Sequence, residues 1–189
     1  MAHSEQIPDN QLRNIARQIA DRAPRRALFL ADSAAPVRLG ESFPMWMLPA
    51  EAVAATRDIA EAAVQTDSWH HQVRAAQGAV TFARSTVSDG SWLVGEVARS
   101  GLEADIETTI RWIDENIPQD LEARLLMAPA YYLTALWLHG DNEDHVVVAQ
   151  APAALATIQR NIDYPAAEFL ARLADQRPSA GVPPLPEES

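Results

Sequence analysis

The side chains in this sequence best suited to acid–base or metal chemistry are its histidines, since an imidazole titrates near neutrality and can ligate a metal through either nitrogen. There are five: His3, His70, His71, His139 and His145. His3 lies in a short polar terminus and is set aside. His70 and His71 are adjacent. On a strand they point to opposite faces, and on a helix residues i and i+1 share no face, so the pair cannot ligate one metal together. His139 and His145 flank the acidic turn Asp141, Glu143, Asp144, which offers nitrogen and oxygen donors within a few residues. That spacing matches no established zinc pattern such as H-E-x-x-H, and the plain alternative is a polar turn in which His139 serves a helix-end carbonyl. No metal is assigned.

Nucleophilic chemistry finds less support. Cysteine is absent, which removes a thiol nucleophile, a thiolate metal site and any disulfide framework. All fifteen basic residues are arginine, so Schiff-base catalysis and a P-loop lysine are also excluded. The seven glycines never form G-x-G, and no cofactor is assigned. No G-x-S-x-G elbow is present either; the nearest candidate, Ser88, Asp89 and Ser91 in "SDGSW", reads as a polar loop. Catalytic residues are therefore left unknown. Paired carboxylates can be drawn from many acids and carry no signal by their presence.

A different signal comes from "FPMWMLP". Phe43, Met45, Trp46, Met47 and Leu48 lie between prolines in a stretch that cannot be a regular helix interior. Apolar loops with methionine and tryptophan occur at adaptable binding surfaces, and also as plugs that close a domain core. Phe43, Met45, Trp46 and Met47 are the candidate contact residues. The terminal "VPPLPEES" resembles a polyproline ligand in composition only.

Charge narrows the partners. Net charge is −11, with five arginines against Asp21 between Arg13 and Arg26, and eleven acids against three arginines between Glu96 and Asp144. Acidity on this scale repels phosphate backbones, so no nucleic acid is expected. No run approaches the 18 apolar residues of a membrane span, and the N-terminal stretch has no signal-peptide core. A soluble, cytoplasmic protein is expected. Arginine without lysine, together with abundant alanine, fits the GC-rich codon usage of a bacterial source.

These residues must be positioned by some set of elements. Asp9 can cap a first helix carrying Leu12, Ile15, Ala16 and Ile19 at helical spacing. A short strand fits 27–31, and an alanine-rich helix fits 50–64. Residues 69–85 alternate like a hairpin, with 69–74 pairing with 79–84 around a positive-φ Gly78, and "SWLVGEV" is a third strand or a helix start. Ser100 and Glu103 make a capping box before Leu102, Ile106, Ile110, Ile113 and Ile117. From Gln119 to Leu138 apolar residues surround the circumference, which predicts a central buried helix kinked at Pro129. "HVVVAQ" reads as a buried strand, and Pro152 and Pro165 start two more helices.

The expected fold is α+β, a predominantly helical single domain (1–176) with a small antiparallel hairpin or sheet, followed by a proline-rich tail (177–189). The expected function is a binding or accessory protein acting through protein contacts, with a protein partner or self-association. Two alternatives stand beside it. One is a small hydrolase or metal-dependent enzyme using histidine and carboxylate. The other is a small-molecule binding domain with Tyr131 and Tyr132 beside a cavity at the Pro129 kink.

Overall fold

The computed structural model describes residues 7–22, 38–74, 80–98, 101–117, 121–176 and 178. All its strands join one eight-stranded mixed sheet, which overturns the predominantly helical expectation. The elements run α1 (Asp9–Arg22), β1 (Arg38–Met47), α2 (Ala50–Ala55), α3 (Ile59–Ala62), β2 (Val64–Arg74), β3 (Val80–Ser88) and β4 (Ser91–Ala98). They continue with α4 (Leu102–Asn116), β5 (Glu122–Ala128), a 3₁₀ turn at Pro129–Tyr131, β6 (Leu133–His139), β7 (His145–Gln150), β8 (Asp163–Pro165) and α5 (Ala166–Ala174). Strand order is β4-β3-β2-β1-β5-β6-β7-β8. Only the central pair β1–β5 is parallel; every other neighbour is antiparallel.

The largest correction concerns the buried helix expected over 119–138. Its described part is two strands, β5 and β6, reversed by the turn at Pro129. Tyr132 closes that turn in the left-handed region at φ 50°. Apolar residues on every side are equally natural for a strand buried on both faces, and here the sheet supplies both coverings. Leu126, Leu133, Ala135 and Trp137 pack against α2, α3 and α5, while Leu125, Leu136 and Leu138 pack beneath α4 on the opposite face. A second correction is "FPMWM", expected as an irregular stretch. It is the central strand β1. Pro44 has no N–H for the ladder, and the register with β2 breaks between Pro44 and Trp46, where Thr66 Oγ1 donates to the Met45 carbonyl at 2.9 Å.

Smaller expectations divide. The helix expected over 50–64 is two short helices, α2 and α3, that end where β2 begins, and the Pro152 segment is turns. Residues 69–74 do pair antiparallel with β3, in the register Trp69–Ser85 to Arg74–Val80, one residue beyond the expected 79–84. Gly78, Ser100, the strand expected over 27–31 and the tail from 179 lie outside the described residues. "SWLVGEV" is β4, joined to β3 by Asp89 and Gly90, whose φ angles of 50° and 71° make the two-residue turn that Asp-Gly favours.

Helix α1 packs Ile15 and Ile19 on Trp69, Val73, Ala83 and Val94. This is the face that carries α2, α3 and α5, because His70, adjacent to Trp69, points to the α4 side. Helix α1 also guards the outer margin of the sheet. The Gln18 amide donates to the Trp92 carbonyl at 2.7 Å and accepts from the Val94 N–H at 3.1 Å, imitating the peptide group of a neighbouring strand. No helix among the described residues is long and apolar enough to cross a membrane.

Candidate binding site

Each described histidine is held by a partner within the chain. His70 and His71 lie on β2 and point to opposite faces. On the α4 face, His70 Nε2 lies 3.1 Å from Glu103 Oε2, and its ring stacks on Phe82 at 5.3 Å. On the α1 face, His71 is fully buried between two hydroxyls, Ser42 Oγ at 2.9 Å from Nδ1 and Ser85 Oγ at 2.7 Å from Nε2. A neutral imidazole suits this niche, since it donates to one serine while the other serine donates to it. Burial first, and the neighbouring His70 second, push the His71 pKa down from 6.5 to about 3.

The acidic turn holds the other two. His139 Nδ1 lies 2.7 Å from Asp144 Oδ1, which also accepts from the Gly140 N–H at 3.3 Å. His145 Nδ1 lies 2.9 Å from Asp163 on β8, with its Nε2 3.8 Å from Glu143. Asp141 is exposed. The two histidines therefore engage different carboxylates. Among the described residues no group of three histidine, aspartate or glutamate side chains is placed to hold a metal ion.

The apolar stretch at 43–47 is divided between the two faces of the sheet. Phe43 and Met45 are 3% and 4% exposed and belong to the core under α4. Trp46 is half-buried on the opposite face, edge-on to Trp137 at 5.0 Å, with the Arg124 guanidinium 4.9 Å from its ring. Met47 is half-buried. These residues build the core and its flanks rather than an exposed patch. Of the two tyrosines, Tyr131 is packed in the core and Tyr132 stands exposed.

Phe43 nevertheless reaches a surface. It forms part of a cleft of about 80 Å³ between α4 and the middle of the sheet, lined by Glu41, Phe43, Ala123, Leu136, Ile110, Ile113 and Asp114. The floor comes from three adjacent strands, β1, β5 and β6, and the wall from α4. Glu41 is set by a bulge: register with β2 shifts between Leu39 and Ser42, placing Gly40 and Glu41 opposite Gln72. A Cβ at Gly40 would lie 3.2 Å from the Gln72 side chain, so a residue without one lets the strands close there. Nothing in the sequence pointed to Glu41 or Asp114, because each is an ordinary exposed acid until the sheet brings the two together. Compared with known proteins, the chain matches no family, no curated protein and no solved structure.

Proposed function

We propose that the protein is a non-enzymatic binding protein that acts through protein contacts, and that the cleft beside α4 is where a partner segment docks. The observation that carries this reading is the cleft itself: a small concave opening at the middle of the sheet, with core residues beneath it, half-buried Ile110 on its wall and the exposed acids Glu41 and Asp114 at its rim. The paired histidines of β2 support it from the other side, since His70 and His71 are buried and bonded within the chain. Catalysis needs a reactive group within reach of substrate.

The test uses Ile110, half-buried on the wall of the cleft. Ile110→Arg obstructs the cleft while leaving the fully buried Ile106 and the largely buried Ile113 in place. Affinity capture from the native host with the wild-type chain should retain a partner that the variant loses at an unchanged melting temperature. A partner retained equally by both would overturn the cleft assignment.

A further inference from the structure

We draw no further inference here: the strongest candidate, the surface patch around exposed Leu93 on the α4 side of β3 and β4, is an open sheet face among the described residues, and nothing in the structure shows what covers it.

Discussion

The two halves of the sheet follow one plan with different interiors. Each half starts with a helix and continues with four strands that step outward from the central parallel pair: α1 before β1–β4, and α4 before β5–β8. The helices lie on opposite faces, as a twofold axis along the strands would place them. The interiors differ in chemistry. In the second half, Leu133–Leu138 of β6 and Val146–Ala149 of β7 are buried and almost wholly apolar, with Thr134 the polar exception. In the first half, Ser42, His70, His71, Gln72, Thr81 and Ser85 are buried. An apolar layer tolerates small shifts of packing, whereas a buried polar layer is stable only in the register that satisfies its hydrogen bonds. The comparison assigns most of the stability to the second half, and the pH response and strand register to the first.

The largest expected effect lies in the second half. Trp137 is fully buried, so Trp137→Ala should cost about 3–5 kcal/mol in urea unfolding. A loss of less than about 1 kcal/mol would mean the apolar half does not dominate. The next effect belongs to His71. Its folded pKa of about 3 lies below the unfolded 6.5, so below pH 6.5 the unfolded chain gains a proton that the native niche refuses. Its contribution is complete above pH 6.5 and declines by roughly 1.4 kcal/mol per pH unit down to about pH 3, which is about 2 kcal/mol by pH 5. Unfolding free energies measured from pH 7 to pH 4 should show this slope in the wild type and lose it in His71→Gln. Equal slopes in both would remove the buried imidazole from the account.

A smaller effect is expected at the margin. Gln18→Ala removes two hydrogen bonds from the edge strand β4, at a cost of about 1–2 kcal/mol. It should also speed amide exchange in β4 and produce concentration-dependent association in light scattering, since an uncovered edge can pair with another. If association is unchanged while stability falls, Gln18 braces α1 rather than guarding the edge. The smallest expected effect is none. A chelator should leave the melting temperature of both halves unchanged, because a metal bound only to the folded state would contribute stability by mass action. A drop of several degrees would assign a metal to the turn between His139 and His145.

Local pattern alone located the amphipathic helices. The apolar residues of α1 and α4 recur at helical spacing because one side of each helix meets the sheet and the other meets water. Alternation revealed the β2–β3 pairing, and three consecutive valines revealed β7. Composition excluded thiol, Schiff-base and P-loop chemistry without any structure. Local pattern failed where an element is buried on both faces. "EARLLMA" and "LTALWLH" carry strong helix formers and, beyond Glu122 and Arg124, long apolar runs, and periodicity then cannot distinguish a buried strand from a buried helix. Which one forms is decided by partners: β1 pairs with Leu125–Met127 of β5, β7 pairs along β6, and helices cover both faces of the hairpin. The same holds for β1, where a central proline argues against a strand until the bulge beside it removes the need for the missing N–H. The cleft lies wholly on the tertiary side. Glu41 and Asp114 are unremarkable acids in sequence, and only the packing of α4 across β1, β5 and β6 sets them at one cleft.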